Sequence, residues 1–420
     1  MTLIKERRYI NKTKKGIMIN FFAPAVIGII IAGMVSLLDY LVRDFFLFYL
    51  FHLNSIVLYL ILPVFAILLS SIITRYLILS KENRLTEDYI IVYHSKEKTL
   101  KFSNLPLKMV ATIITIIGGG CVGLEGPSIY LGANIGETVQ KRSRENFHGI
   151  DPHALMIAGA AAGFAALFKA PLTSVMFVLE VPYKNRMSSR ALIPSLISCS
   201  FSYLTAAFLT GHEPLFNIKN QVNFDVKALL FAPIIGVLCG LMARLFIKTK
   251  KWTEELKNLF SKYFFIYSLL CGLAVGLLGL VTTSVFSKPF NYGPGYNTIR
   301  FLIENNVSFF PLFVLFVARF LSTPLTFSGG GTGGIFFPLA VLGVVVGSAF
   351  NLFLTPVDIS FYPLIGLSSF VAAGYRTPLA AVTFAAETTG NPYVLIPSMI
   401  AAVFAFVTVG SKGVSDEQRG

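Results

Sequence analysis

Gly118-Gly119-Gly120-Cys121-Val122-Gly123-Leu124-Glu125-Gly126-Pro127 interrupts an apolar stretch of the chain, and Gly329-Gly330-Gly331-Thr332-Gly333-Gly334-Ile335-Phe336-Phe337-Pro338 interrupts another far downstream. A glycine triplet followed seven residues later by a proline breaks a helix wherever it falls. The separation of the two stretches is the informative quantity: Pro338 follows Pro127 by 211 positions (338 − 127 = 211). A second pair agrees. Lys169–Glu180 and Arg376–Glu387 share the pattern basic-x-Pro-Leu-x-x-Val-x-Phe-x-x-Glu at an offset of 207 (378 − 171 = 207). Two matches in the same order at nearly one offset indicate a duplicated unit. The chain divides into a basic segment 1–15, a first repeat 16–212, a polar linker 213–227, a second repeat 228–410 and a tail 411–420.

The sequence around these breaks is that of a membrane protein. Of 420 residues, 55% are hydrophobic and only 13% charged, with a mean hydropathy of +0.71. A soluble domain carries about 25% charged residues, which argues against a water-exposed globular enzyme. Gly16–Leu38, Phe45–Ile73, Leu229–Ile247, Tyr263–Phe286 and Tyr393–Val409 each approach or exceed the roughly 20 apolar residues that cross a bilayer. Shorter interrupted runs raise the expected number of membrane segments to about ten or more, several too short to span. The runs are continuously apolar, whereas barrel strands alternate, so the expected fold class is an all-α polytopic membrane protein. Cys121, Cys199, Cys239 and Cys271 lie in apolar stretches without a CxxC pair and read as packing residues. The net charge of +14 is explained first by topology, with no nucleic acid implied: Lys5, Arg7, Arg8, Lys12, Lys14 and Lys15 precede the first apolar run and place the N-terminus in the cytoplasm. Gly16–Leu38 is too long for a signal-peptide core and lacks a small-residue cleavage site, so it reads as a retained helix.

Repeated halves whose apolar segments are broken at corresponding positions point to a transport site near the membrane midplane. A broken helix frees N–H groups and aims the positive end of its dipole into a cavity, where an anion can bind. The competing reading of the glycines is close helix packing. Glu125 sits inside one break, directly before the apolar segment Ser128–Ile135. A carboxylate at membrane depth marks a substrate path or proton relay, and at a helix N-terminus it is itself an anion that the dipole favours. Glu125 thus reads as a group that occupies an anion site when ionised and leaves it when protonated or displaced, with an interfacial helix cap as the alternative. Glu180 and Glu387, repeated beside Pro-Leu segments, read as structural, hydrogen-bonded acids. An intramembrane enzyme is the competing class, but His52, His94, His148, His153 and His212 form no HExxH motif and sit mainly at segment ends, so neither catalysis nor a metal site is expected.

At these residues the sequence resembles the CLC family of chloride channels and chloride/proton antiporters. Gly123-Leu124-Glu125-Gly126-Pro127 is similar to the family's Gly-Arg-Glu-Gly-Pro motif, and Gly334-Ile335-Phe336-Phe337-Pro338 matches Gly-x-Phe-x-Pro in full. Gly159–Glu180 resembles the segment that follows the first motif. The resemblance implies two inverted halves with broken, re-entrant helices, and a homodimer with one anion pathway per subunit. It makes Glu125 the gate, the amides of Ile335 and Phe336 the lining of the central anion site, and Phe337 a flank of the outer one, with Gly126 and Gly334 in the binding loops and Gly123, Leu124, Pro127 and Pro338 as motif positions. Three departures bear on mechanism. Leu124 stands where the motif has arginine; the family's Gly-Ser-Gly-Ile-Pro segment aligns with Asn83-Arg84-Leu85-Thr86-Glu87, leaving Thr86 or Arg84 in place of the serine; and Ser415 is the nearest match to the inner-gate tyrosine. Val181 occupies the position of the antiporters' inner proton-transfer glutamate, and no CBS pair is expected before Gly420. These features suggest chloride-selective, channel-like or weakly coupled transport in the plasma (inner) membrane of a prokaryote. The alternatives are a chloride/proton antiporter using another proton path, or transport of fluoride or another anion. The expected partners are chloride and the lipid bilayer, with no cofactor beyond the transported ion.

Overall fold

The computed structural model describes residues 2–52, 55–78, 83–95, 97–142, 151–216, 218, 226–354 and 358–420, apart from the side chains of 2–20, 45–48 and 51. The first half contains α1 (Thr2–Asp39), α2 (Leu47–His52), α3 (Ile56–Ile72), α4 (Thr86–Tyr93), α5 (Leu105–Ile117), α6 (Glu125–Arg142), α7 (Ala154–Phe168), α8 (Pro171–Glu180) and α9 (Leu192–Thr210). The second contains α10 (Val226–Leu259), α11 (Phe264–Phe286), α12 (Tyr296–Glu304), α13 (Phe309–Ser328), α14 (Phe336–Phe350), α15 (Phe361–Tyr375), α16 (Pro378–Thr389) and α17 (Leu395–Val409). Among the described residues, seven helices are long and apolar enough to cross a membrane, and α7, α8, α14 and α15 are among the shorter apolar ones. The fold class is the expected all-helical membrane architecture.

One apolar run is longer than the helix that crosses within it. Phe45–Ile73 is two helices, because Ser55 adopts an extended conformation and caps α3, so the crossing segment starts at Ile56. In the second repeat the first described helix, α10, opens at Val226. The basic side chains before Gly16, His148 and most of the linker lie outside the described residues.

The halves are related by inversion. Arg43 and Asp44, just past the end of α1, share a cavity with Glu213 and Leu215, which precede α10, while Lys250 and Glu254 near the far end of α10 line a cavity with Asn83 and Arg84. α1 and α9 therefore end on one face, and the far end of α10 lies by the loop that carries Asn83 and Arg84. The packing repeats accordingly: α1 on α9 and α10 on α17, α6 on α7 and α14 on α15. Each buried helix pair meets at glycines. A Cβ on Gly132 would strike the Gly159 carbonyl and one on Gly159 the Gly132 carbonyl, and Gly343 and Gly366 stand in the same relation. Small residues at these crossings let the backbones touch, the usual way to gain dispersion contact where lipid removes the hydrophobic drive.

Candidate functional site

The two glycine-rich breaks meet at the centre of the molecule. The Gly123 amide donates to the Gly334 carbonyl at 2.9 Å and the Gly334 amide to the Gly123 carbonyl at 2.8 Å, forming an antiparallel bridge between positions 211 apart in the repeat. Flanking loops are joined in the same reciprocal way: the Cys121 amide donates to Thr326 Oγ1 at 3.2 Å, and the Thr332 amide to Thr115 Oγ1 at 3.1 Å. Irregular backbone at this depth is thus hydrogen-bonded by the other half, as a low-dielectric interior requires.

This arrangement points the N-termini of α6 and α14 at one another, with Glu125 between them. Its fully buried side chain crosses to the second half, where Oε1 accepts from the Phe337 amide at 3.1 Å, and the Phe336 amide also faces the carboxylate. Among the described residues Oε2 has no hydrogen-bond partner. Gly123 and Gly334 form the wall behind it, since a Cβ on either would overlap the carboxylate, and Gly126 packs its Cα against the Gly333–Gly334 backbone. Phe337 places its ring 4.4 Å from that of Tyr296, whose buried hydroxyl has no hydrogen-bond partner among the described residues and lies toward Glu125. Tyr296 in turn lines a cavity of about 390 Å³ with Arg43, Lys169 and Arg300. Leu124 is buried, so this mouth takes its positive charge from Arg43 just past α1, Arg300 of α12 and Lys169 in the loop after α7.

On the other side of Glu125 stands an aromatic box. Phe336 packs edge-on to Phe164, Phe177 and Phe384 at 5.2, 5.1 and 4.9 Å, and Tyr375 closes the box 6.0 Å away. The Tyr375 hydroxyl lies beside the Ile335 backbone and the Thr86 side chain. The amides of Ile335, Phe336 and Phe337 therefore form a short stair from a tyrosine hydroxyl to a carboxylate, at the positive end of α14. Of the two candidates to stand in for the motif serine, Thr86 opens α4 at this point, whereas Arg84 turns away to Glu417 at 2.8 Å. Ser415 is buried in the tail and lines the second cavity of about 380 Å³; the tyrosine beside Ile335 comes from α15 instead. The sequence carried a sign of this: extending the Lys169/Arg376 match back by one residue pairs Phe168 with Tyr375, a hydroxyl present in one half only.

Glu180 and Glu387 hold the structure together across the pseudo-twofold. Glu180 at the end of α8 accepts from the Leu379 and Ala380 amides at 3.2 and 2.9 Å, capping α16. Glu387 near the end of α16 accepts from the Leu172 and Thr173 amides at 3.0 and 2.7 Å and from the Thr173 hydroxyl at 2.6 Å, capping α8. Both have the structural role read from their repetition. Val181, the next residue, is buried, and its carbonyl accepts from Gln418 Nε2 at 2.9 Å. Cys121, Cys199, Cys239 and Cys271 are buried and free, and no cluster of metal-ligating side chains occurs among the described residues.

Comparison with known proteins places these features in context. Residues 67–410 match the family model for the voltage gated chloride channel. The H(+)/Cl(-) exchange transporter ClcA of Citrobacter koseri is 30% identical over 320 residues, 72% of this chain and 64% of that protein, and the ClcA of Klebsiella pneumoniae subsp. pneumoniae is 30% identical over 319 residues, 72% and 65% respectively. The chain thus aligns with just under two thirds of the length of these relatives. Among solved structures, a slow cyanobacterial Cl-/H+ antiporter superposes with a TM-score of 0.81 at 23% identity, covering 94% of this chain and 96% of that one. A CLC-type fluoride/proton antiporter gives 0.82 at 21% identity, covering 96% and 98%. At these identities the superpositions establish the shared fold.

Proposed function

The chain belongs to the voltage-gated chloride channel family, and on that premise we propose that it exchanges chloride for protons across a membrane, with Glu125 as the shared gate of both ions. The observation that carries the reading is the seat of the Glu125 carboxylate on the Phe337 amide at the N-terminus of α14. Amides at a helix N-terminus bind an anion without a buried full charge, so the ion can also leave, as throughput demands. A carboxylate on the same donors competes with chloride when ionised and withdraws when protonated, which ties the movement of one ion to the protonation of one group. The relatives named as H(+)/Cl(-) exchangers favour this over the channel-like behaviour expected from Val181. In this reading Phe336 and Ile335 offer the central amides, Gly126 and Gly334 shape the loops, and Tyr375 with Thr86 closes the side away from Tyr296. The transporter works as a homodimer in a prokaryotic plasma membrane, without cofactor or catalysis. Purified protein in liposomes tests it: a chloride gradient at uniform pH is expected to drive protons uphill, and chloride flux with no accompanying proton movement would overturn exchange in favour of a channel.

A further inference from the structure

An exchanger needs a proton route from Glu125 to each face, and on the side of the tail α8 offers none: Glu180 is committed to capping α16, and Val181 does not titrate. The polar groups there come from α4. Thr86, Tyr89 and Tyr93 are spaced by three and four residues, so they share one helix face, and all three are buried. At its inner end Thr86 meets the Tyr375 hydroxyl, which lies toward Glu125. One turn on, the Tyr89 hydroxyl donates to the Val178 carbonyl at 2.9 Å, and its ring is 6.0 Å from that of Tyr93. The Tyr93 hydroxyl is buried without a hydrogen-bond partner among the described residues. His94 closes the helix, its ring 5.1 Å from both Tyr93 and Tyr183. Its Nε2 lies 2.7 Å from the Pro182 carbonyl, and because a carbonyl only accepts, Nε2 carries the proton and Nδ1 the lone pair. His94 also lines a cavity of about 390 Å³ with Glu97, Lys98, Glu417 and Arg419.

We propose that this face of α4 is the proton route between Glu125 and the tail-side cavity, with His94 as its port. The proposal rests on the exchange reading above. Partial burial and the nearby Arg419, Arg186 and Arg190 hold the His94 pKa below its ordinary value, so the resting ring is neutral and able to take a proton from the cavity. A proton taken onto His94 Nδ1 leaves from the same nitrogen, because Nε2–H is held by the Pro182 carbonyl. At each hydroxyl the arriving proton binds an oxygen lone pair as the hydroxyl's own proton moves onward, the Tyr89 O–H swinging off the Val178 carbonyl to do so. No net charge stays on the route once Glu125 is protonated. The Tyr93 ring packs between those of His94 and Tyr89, and its hydroxyl lies beside Ser188 and Tyr183, a further tyrosine that also touches His94.

The test measures chloride and proton flux together in liposomes for the wild-type protein, Tyr93→Phe and His94→Gln. Tyr93→Phe removes the hydroxyl and keeps the ring packing, so it is expected to fold and to keep its chloride flux while proton flux falls about tenfold or more, a change in the ratio of the two ions that a merely structural role does not produce. His94→Gln retains a donor for the Pro182 carbonyl and is expected to lower the same ratio. An unchanged ratio in Tyr93→Phe beside a proton-coupled wild type overturns the route alone. A wild type that moves chloride without protons overturns the exchange reading and this route with it.

Discussion

At Glu125 the carboxylate already holds the Phe337 amide, so an arriving anion must displace it or wait for its protonation. Lowering the pH removes the competitor, so chloride flux is expected to rise as pH falls. Glu125→Gln keeps the shape and loses the charge, and should flatten this dependence in a liposome flux assay. A helix cap alone predicts something different: a loss of about 1 kcal/mol of stability and an intact pH profile. Gly334→Ala makes the complementary change, because its Cβ needs the space the carboxylate fills. The variant is expected to expel the side chain and also to flatten the pH profile, although Glu125 is still present. Glu125 as the proposed gate was legible in the sequence because a carboxylate inside a glycine-rich break has few structural excuses. Tyr375 was not, since on an apolar helix a tyrosine reads as core packing until its hydroxyl is seen beside the Ile335 backbone.

The helices joined across the repeat are held by their ends. Glu387 satisfies three donors at the start of α8, and Glu180 two at the start of α16. Glu387→Gln replaces one acceptor oxygen with a donor facing donors, so thermal unfolding in detergent should show a loss of about 1–2 kcal/mol. The ratio of chloride to proton flux should not change. Equal loss of coupling and stability would instead give Glu387 a place on the ion path. These caps were foreseeable because both members of the repeated pattern end in Glu after Pro-Leu. The break at Ser55 was not read, because His52-Leu53-Asn54-Ser55 is a short polar island in a long apolar run, and hydropathy averages over it.

Across the whole molecule, the tail clasps the two halves together. Gln418 Nε2 donates to the Val181 carbonyl of the first half and to the Tyr375 carbonyl of the second, at 2.9 and 2.8 Å, and Arg419 pairs its backbone with Pro182 and Lys184. Gln418→Ala leaves two buried carbonyls without this donor and is expected to cost about 1–3 kcal/mol, measurable as an earlier thermal transition. It should also raise chloride leak, since Tyr375 loses its tether. Nothing in the sequence of the tail announced this, because its glutamine acts through backbone carbonyls that only the folded chain brings within reach.

The bridge between Gly123 and Gly334 bears on ancestry. Several contacts across the pseudo-twofold have a mirror: the Gly123 and Gly334 amides, the threonines that hold Cys121 and Thr332, and the caps by Glu180 and Glu387. Such self-complementarity is the signature of an isologous interface between identical chains. One half-length protein, inserted in the bilayer in both orientations and paired with its own copy, would satisfy these paired backbone contacts. Gene fusion would then have left the chemistry as it was and freed the two copies to diverge, as Phe168 and Tyr375 have.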